Sequence, residues 1–284
     1  MLIAGVDRLR FPTQEKPRGP LRIDWRHPLA QALCVCVVHS DMADGVDIDL
    51  VRGGNPGAID GPVDTYLGTG TRYNIADGVG YNLPYKSALS TSDGAGGGDL
   101  TLAIQFCLNA AADWQYIVKQ TNPALTAYFS IVSNPTGSGG NLIYATPAGY
   151  QVISFTANLG QVYAVAFTRR SGTDYFYIDG ADTGVTQADI ATVWDSTSDF
   201  GWGDVDNGAA NASVDFTALQ TAAWNRALDP SEILVWSQDP YRFLLPAESE
   251  MAVLFTSGTP PGSSVTFRRT RSHLGTKVNS RQVA

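Results

Sequence analysis

The segment from Asp215 to Phe243, DFTALQTAAWNRALDPSEILVWSQDPYRF, constrains the fold more than any other part of this 284-residue chain. Alternating outward and inward residues predict a strand that runs directly into a helix-start signal. Asp229 is the expected N-cap, Pro230 the first helical residue and Glu232 the third, which is the pattern of a capping box. The Asp239–Pro240 pair is expected to end the helix. Because so short a helix cannot form a core by itself, we expect it to close a β-structure.

The rest of the chain also favours strands. Glycine occurs 29 times and tyrosine 12 times, and short alternating segments predict about 12 to 14 strands at a spacing typical of β-sandwiches. The strongest hairpin signal is Asp179–Gly180, which alternating residues flank on both sides. The first strand, Ala32–Val38, is apolar on both faces, as expected of a strand buried between two layers.

Two of these segments resemble the laminin-G-like, concanavalin A-like jelly-roll family. Residues 226–233 (RALDPSEI) resemble the family's C-terminal pattern, in which a strand leads into a short helix. Residues 163–168 (YAVAFT), Ser171–Gly172 and residues 177–180 (YIDG) resemble its strand, turn and hairpin. The resemblance covers about residues 29–243. It implies an all-β fold, a two-sheet antiparallel jelly-roll sandwich (concanavalin A-like) with one short C-terminal helix and extended N- and C-terminal arms.

Charge divides the chain into an acidic body and two basic arms. Residues 1–27 carry six Lys/Arg and three Asp/Glu, and residues 259–284 carry five and none, which leaves a formal charge of −16 between them. We therefore predict an N-terminal basic arm at 1–27, a jelly-roll domain at 28–256, and a linker with a basic C-terminal arm at 257–284. The residues expected to dock on a partner are Arg8, Arg10, Lys16, Arg18, Arg268, Arg269, Arg271, Lys277 and Arg281.

Several classes of partner are disfavoured. An acidic body repels phosphate, so we expect no nucleic acid. No apolar run reaches the roughly 18 residues that a membrane span needs, and the N-terminus lacks the apolar core of a secretory signal. The three cysteines are expected to be reduced and buried, with Cys34 and Cys36 on the same face of the first strand.

Catalytic patterns are scarce, and we predict a non-enzymatic protein with no catalytic residue. Retaining glycoside hydrolases of this fold need two carboxylates about 5 Å apart. The chain has four glutamates, Glu15, Glu232, Glu248 and Glu250, and none lies on a predicted central strand. Glu232 is better explained as the cap of the helix. Neither a nucleophile elbow nor a phosphate-binding loop occurs.

Two loops carry residue types that suit a ligand. The candidate glycan-binding residues are Trp202, Asp204, Asp206, Asn207 and Asn211, with the alternative that Trp202 belongs to the core and the others form a polar turn. Asp44, Asp47 and Asp49 are weak calcium candidates, for which a solvated loop is the favoured alternative. We predict no cofactor, with calcium left open.

A further resemblance concerns the lead-in at residues 22–30, RIDWRHPLA, which together with the jelly roll and the basic tail resembles virion proteins of tailed bacteriophages. It implies a virion structural protein assembled in the host cytoplasm, a capsid decoration or accessory protein. The basic arms would attach it to the major capsid protein or other virion subunits, with self-association left open, and the jelly roll would point outward. The alternative is a lectin-like carbohydrate-binding adhesion module of a tail or head fibre that binds host surface glycan.

Overall fold

The computed structural model describes residues 16–17, 20–39, 48–51, 62–65, 68–73, 81–83, 98–109, 115–121, 128–134, 141–146, 149–153, 158–188, 200–202 and 216–247. The chain divides into two compact units, Met1–Pro246 and Ala247–Ala284, and every described residue except Ala247 belongs to the first. Most of both predicted arms lies outside the described residues, so the domain boundaries proposed from the sequence stay predictions.

Within the described residues the chain forms seventeen strands, one α-helix and one 3-10 helix. The helices are α1 (Pro230–Gln238) and the 3-10 helix Pro28–Ala30. The strands are β1 (Leu21–Ile23), β2 (Leu33–Val38), β3 (Ile48–Asp49), β4 (Pro62–Thr65), β5 (Gly68–Tyr73), β6 (Tyr81–Leu83), β7 (Leu100–Leu108), β8 (Gln115–Thr121), β9 (Tyr128–Asn134), β10 (Asn141–Thr146), β11 (Gly149–Ile153), β12 (Val162–Arg170), β13 (Thr173–Ile178), β14 (Ala181–Ala188), β15 (Phe200–Trp202), β16 (Phe216–Trp224) and β17 (Leu244–Pro246).

Two large antiparallel sheets contain all but two of these strands. The nine-stranded sheet has the order β14-β13-β12-β7-β16-β2-β3, with β5 pairing β16 and β4 pairing β5. The six-stranded sheet has the order β11-β10-β9-β8-β15-β6, and β1 and β17 form a separate ribbon. Ile117 of β8 and Ile153 of β11 share one buried cluster with side chains of the nine-stranded sheet. The predicted two-sheet antiparallel sandwich of jelly-roll type, closed by a single α-helix, is therefore confirmed.

The central strands of the nine-stranded sheet are buried on both faces. Every residue of β2, β7 and β16 is buried. One face packs on the six-stranded sheet through residues such as Phe106 and Phe216. The other face packs under α1, the 3-10 helix and the β1–β17 ribbon through residues such as Trp224. This double burial explains why the sequence of β2 is apolar throughout, as the sequence predicted.

Under the helix, large aromatic and polar side chains are packed together. The ring of Trp224 meets that of Trp236 edge to face at 6.4 Å between centroids, and its indole Nε1 donates to the Leu29 carbonyl at 2.6 Å. The fully buried Gln220 accepts from Trp236 Nε1 at 3.1 Å and donates to the Pro240 carbonyl at 2.8 Å. These hydrogen bonds satisfy the amide of Gln220, which explains how a polar residue lies inside the helix–sheet interface.

The start of α1 has the predicted capping box. The Asp229 carboxylate accepts from Ser231 N at 2.8 Å and from Glu232 N at 2.9 Å. The Glu232 carboxylate accepts in return from Asp229 N at 3.1 Å. Pro230 is the first helical residue and Asp239 is the C-cap. The prediction of the helix start and end is confirmed.

The Asp179–Gly180 hairpin is also confirmed, and it lies directly against α1. Asp179 and Gly180 have φ angles of 50° and 81°, the combination that a tight two-residue turn between twisted strands requires. The Asp179 carboxylate accepts from Ala164 N at 2.9 Å, which fixes the turn to β12. A Cβ on Gly180 would lie 2.9 Å from the Cα of Leu234 in α1. The hairpin signal and the helix signal of the sequence therefore belong to one contact.

The predicted faces of the first strand need a correction. Cys34 packs between the two sheets with Val35, whereas Cys36 packs on the helix side with Leu33. The pairing of β2 with β16 shifts between Ala223 and Trp224, so the strict alternation of faces is interrupted next to Cys34. The prediction that Cys34 and Cys36 share a face is therefore wrong. The same irregular start explains why β2 begins at Leu33 instead of Ala32, whose φ is 57°.

The described residues form more strands than the 12 to 14 that the sequence predicts. Two of these strands, β4 and β5, interrupt a region rich in glycine and polar residues that is typical of turns. Their pairing has a tertiary cause, because β5 lies on β16, where a Cβ on Gly70 would meet the Ala218 carbonyl and the Thr217 side chain. Glycine there permits a close approach that a strand pattern does not reveal.

Candidate functional site

The predicted glycan-binding loop lies mostly beyond the described residues. Trp202 is the last residue of β15. Asp204, Asp206, Asn207 and Asn211 lie outside the residues that the structure describes, so their role stays a prediction.

The strand register gives the position of Trp202 in the six-stranded sheet. One row of directly paired residues crosses the sheet from β15 to β11, and it consists of Trp202, Val118, Ile131, Tyr144 and Gln151. Paired residues of antiparallel strands share a face, and so do residues two apart along a regular strand. In β8 the pairing with β9 shifts between Tyr116 and Val118, so the alternation of faces is interrupted at Ile117, which is buried between the sheets. Ile153, two residues after Gln151, is buried between the sheets. The register of Trp202 is therefore that of the core-side face, which favours the alternative in which Trp202 belongs to the core.

The neighbouring row belongs to the opposite face of the same sheet, which we call the outer face. The row crosses from β6 to β11 and consists of Asn82, Gly201, Lys119, Ser130, Ala145 and Tyr150. Tyr116 and Tyr128 occupy register positions of this face in the rows on either side. The row of Tyr116 also contains Val132, Ile143 and Val152, so the outer-face positions combine aromatic, amide, hydroxyl and ammonium residue types with small and β-branched apolar residues.

The sequence alone does not reveal this row, because the strand pairing must be known first. Its residues come from six segments that are far apart in the chain, and no single segment has a motif. Two of the six strands are three residues long. A period of two in β10 and β11 would have identified which residues alternate, but not which partners they meet.

The candidate calcium cluster is described only at Asp49. Its carboxylate is buried and accepts from Cys36 N at 3.0 Å and from Val51 N at 3.1 Å, so it joins β2 to the end of β3. Asp44 and Asp47 lie outside the described residues. In the part of the chain that the structure describes, no three His, Cys, Asp or Glu side chains come together as a metal site would require. The contacts of Asp49 are those of a structural residue.

Among the nine basic residues expected to dock on a partner, Lys16 lies within the described part of the chain. It is buried, and its ammonium donates to the backbone carbonyl of His39. This contact is intramolecular, and the docking role predicted for Lys16 stays a prediction. Arg8, Arg10, Arg18, Arg268, Arg269, Arg271, Lys277 and Arg281 lie outside the described residues, and their role stays a prediction.

Glu232 is the one glutamate of the chain within the described residues, and its carboxylate is engaged on both oxygens. Arg226 donates to Oε2 from Nη1 at 2.7 Å and to Oε1 from Nη2 at 2.8 Å. The same guanidinium donates to the carbonyls of Pro28 and Gln31. Arg226 thus connects the start of α1 to the 3-10 helix, because its planar guanidinium can bind a carboxylate with two hydrogen bonds at once. This arrangement supports the interpretation of Glu232 as a capping residue.

The sequence did not reveal a buried ion pair between β12 and β13. Arg169 and Asp174 pair across the two strands, with Nε–Oδ1 and Nη2–Oδ2 distances of 2.8 and 3.1 Å, and both are buried. Removing either partner would leave an unpaired buried charge, whose desolvation costs roughly 3–5 kcal/mol. We assign the pair a structural role.

The three cysteines are free thiols and buried, as predicted. Burial is the largest cause that raises the pKa of Cys36, and the nearby Asp49 carboxylate raises it further. Burial also raises the pKa of Cys107. A thiol held in its protonated form is a poor nucleophile and a poor metal ligand.

None of the helices that the structure describes is long and apolar enough to cross a bilayer.

Comparisons with known proteins give structural neighbours without sequence relatives. No protein-family model matches the chain, and no curated protein matches it. Trypanosoma rangeli sialidase in complex with a difluorinated sialic acid analogue, 2,3-difluoro-KDN, is 17% identical with a TM-score of 0.57. That match covers 73% of this chain and 32% of the sialidase, so the chain spans about a third of the sialidase's length.

Two further neighbours are single domains. Domain 4 of AbnA, a GH43 extracellular arabinanase from Geobacillus stearothermophilus, solved in complex with arabinotriose, is 16% identical with a TM-score of 0.53, and the match covers 72% of this chain and 98% of that domain. The binding domain of Paraclostridial Mosquitocidal Protein 1 is 13% identical with a TM-score of 0.55. That match covers 72% of this chain and 52% of the binding domain's chain. Identities this low show a shared fold alone, and that fold is consistent with the concanavalin A-like jelly roll.

Proposed function

We propose that this protein is a carbohydrate-binding β-sandwich domain. The observation that carries the proposal is the match to domain 4 of the arabinanase, because nearly the whole of that domain is covered and its structure contains arabinotriose. The sialidase neighbour was likewise solved with a sugar analogue. Carbohydrates bind to shallow surfaces through aromatic stacking and several directed hydrogen bonds, and a sheet face can supply both.

The outer face of the six-stranded sheet is the proposed site. Its central row offers Lys119, Ser130 and Tyr150 beside the small residues Gly201 and Ala145. Gly201 and Ala145 add little side-chain volume to this row, so we place an extended oligosaccharide along it. The predicted loop that follows Trp202 adjoins this sheet in sequence and offers the carboxylate and amide groups of Asp204 and Asn211 as an alternative position.

A glycan array probed with the full chain tests this proposal. We expect binding to a restricted set of oligosaccharides. Ala145→Trp, which fills the outer face, should abolish binding, while the double variant Asp204→Ala and Asn211→Ala should leave it unchanged. If only the double variant Asp204→Ala and Asn211→Ala lost glycan binding, the binding site would lie in the loop instead of on the outer face. Failure of the wild-type protein to bind any oligosaccharide on a broad array would overturn the proposed function.

The proposal is a binding domain without catalysis. Glu232 has both carboxylate oxygens engaged, and the matches to the hydrolases cover 32% of the sialidase and domain 4 alone of the arabinanase. Incubation of purified protein with sialosides and arabinan, followed by reducing-sugar analysis, is expected to give no release above buffer. Sustained release that an Asp or Glu substitution abolishes would contradict the absence of catalysis and would leave carbohydrate recognition standing.

A second candidate function is attachment to a virion, and the distribution of charge favours it. An acidic body of −16 between two basic arms suits a protein that docks its ends on the carboxylates of a larger assembly. In this role the carbohydrate-binding face would point away from the particle. Deletion of residues 259–284 should remove the protein from purified particles. Particles that keep it at full occupancy after the deletion would exclude attachment through this arm.

A further inference from the structure

A closed turn follows β1 and presents two neighbouring side chains to solvent. The turn spans residues 24–27, where His27 N donates to the Asp24 carbonyl at 2.9 Å. Asp24 N donates to the Phe243 carbonyl at 2.8 Å, and the Asp24 carboxylate accepts from Arg26 N at 3.1 Å. These hydrogen bonds define the turn and attach it to the segment that leads into β17. Trp25 and Arg26 occupy its two central positions, and we call residues 24–27 the Trp25 turn.

Trp25 differs from the other tryptophans whose side chains the structure describes. Trp224 and Trp236 are buried, and each donates its indole Nε1 to a protein oxygen. Trp25 is 57% exposed, and within the described residues its Nε1 has no hydrogen-bond acceptor. Turn formation does not explain a tryptophan here, because turns favour glycine, proline, asparagine, aspartate and serine. The indole ring and its N–H group are therefore available to a ligand.

Arg26 adds a positive charge that a ligand can reach. Its side chain is exposed, and in the described part of the chain no carboxylate forms an ion pair with its guanidinium. A guanidinium recognises a carboxylate through two parallel hydrogen bonds. Consecutive Cα atoms lie about 3.8 Å apart. The turn thus places an aromatic surface directly beside a group that binds carboxylates.

The size of this exposed surface favours a small ligand. Ile23 before the turn and Leu29 and Ala30 after it are buried, so the indole of Trp25 supplies most of the apolar surface that the turn exposes. A standard protein interface takes about 800 Å² from each partner. One indole ring with one guanidinium is far smaller than that, whereas it matches the dimensions of a single sugar ring with a charged substituent.

We propose that the Trp25 turn binds a hexuronic acid residue of an acidic oligosaccharide. The C–H face of a pyranose stacks on the indole ring, which is flat, apolar and carries an N–H donor at its edge. In a uronic acid the carboxylate is attached directly to the pyranose ring, so it lies beside the stacked face and reaches the neighbouring Arg26. A neutral sugar offers the ring without the charge, and an acidic amino-acid side chain offers the charge without the ring.

This site is separate from the outer face of the six-stranded sheet. The β1–β17 ribbon, which the Trp25 turn follows, packs on the helix side of the nine-stranded sheet through Leu21, Ile23 and Leu244. The inference therefore goes beyond the carbohydrate binding proposed for the outer face and does not depend on it.

Titration of the full chain with two uronic acid probes, tetragalacturonate and a hyaluronan tetrasaccharide, tests the inference. The indole N–H signals are followed by proton–nitrogen correlation NMR, in which the Trp25 signal is the one that Trp25→Phe lacks. We expect at least one of the two probes to shift this signal in a saturable manner. Tetragalacturonate methyl ester, which lacks the charge, should bind about tenfold more weakly than the acid. Raising NaCl from about 50 mM to about 500 mM should weaken binding of the acid alone.

Substitutions separate the aromatic contribution from the charged one. By calorimetric titration, Trp25→Ala should lower the affinity for both the acid and the ester by roughly tenfold or more. Arg26→Gln should lower the affinity for the acid by about tenfold and leave that for the ester unchanged, and Arg26→Lys should keep part of the preference for the acid. Leu159→Ala is the matched control, since Leu159 is 55% exposed and lies outside the turn. Circular dichroism checks that each variant is folded.

Three outcomes would overturn the inference. The first is an unchanged Trp25 signal with both probes, and the second is wild-type affinity for the acid in folded Arg26→Gln. The third is a tetraglutamate peptide that shifts the Trp25 signal as strongly as the sugars do, which would assign the turn to an acidic protein partner instead. Ala145→Trp, which fills the outer face, should leave the shift of the Trp25 signal unchanged, so failure of one site is distinguished from failure of the other.

Discussion

At the scale of single residues, Gly180 joins the two most informative sequence signals. Its φ of 81° and the proximity of Leu234 in α1 both require glycine. We expect Gly180→Ala to lower the free energy of unfolding by about 2–4 kcal/mol, through backbone strain of about 1–2 kcal/mol and displacement of the helix. Gly160→Ala is the control, since Gly160 has a φ of 77° but open space around it, and should cost about 1 kcal/mol. Urea denaturation measures both free energies of unfolding. If Gly180→Ala and Gly160→Ala lowered the free energy of unfolding equally, the contact of Gly180 with α1 would be contradicted.

Asp229 gives a residue-scale prediction that depends on pH. Hydrogen bonds from the Ser231 hydroxyl and from the backbone N–H groups of Glu232 and Ser231 lower the pKa of Asp229. A carboxylate with a lowered pKa in the folded state stabilises the protein above its unfolded pKa of about 3.9, and this stabilisation is lost as pH falls through the folded value.

Two variants separate the cap from the charge. Asp229→Ala should cost about 1 kcal/mol at pH 7, because the helix loses its N-cap acceptor. Asp229→Asn keeps the acceptor, so it should lower the free energy of unfolding by only a few tenths of a kcal/mol at pH 7. Because asparagine does not titrate, the variant should also lose less stability than the wild type below about pH 4. Thermal melts between pH 7 and pH 2.5 measure both effects. An unchanged acid profile in Asp229→Asn would show that the lowered pKa of Asp229 has no effect on stability.

At the scale of the elements, local signals predicted structure best where they agreed with burial. The capping box and the Asp179–Gly180 turn are set by neighbouring residues, and both are as predicted. The faces of β2 were not, because the shift opposite Trp224 is set by pairing with β16. The outer face of the six-stranded sheet depends on five successive strand pairings, so no local pattern could predict it.

Trp202 tests the register of the six-stranded sheet. If its position is on the core-side face, Trp202→Ala should lower the free energy of unfolding by about 3–5 kcal/mol, as expected for removal of a large buried side chain. Tyr150→Ala, at an outer-face position of the same sheet, should cost less than about 1 kcal/mol and should weaken glycan binding instead. Chemical denaturation of both variants measures this. A stable Trp202→Ala protein that has lost glycan binding would restore Trp202 as the sugar-stacking residue.

At the scale of the whole molecule, the helix and the β1–β17 ribbon cover one sheet, and we propose the other for ligand recognition. The helix and the β1–β17 ribbon both pack on the nine-stranded sheet, whose central strands are buried on both faces. The proposed ligand face belongs to the six-stranded sheet.

The most direct test of the central claim is calorimetric titration of an array-selected oligosaccharide into the wild-type protein and two tryptophan variants. Ala145→Trp fills the proposed outer face, and Leu159→Trp adds the same ring to an exposed turn elsewhere. Lys119→Ala, which removes volume, serves as a second outer-face variant should Ala145→Trp lower stability. We predict that both outer-face variants weaken binding by at least about tenfold and that Leu159→Trp binds as the wild type does. Wild-type affinity in folded Ala145→Trp and Lys119→Ala proteins would contradict carbohydrate recognition by this face.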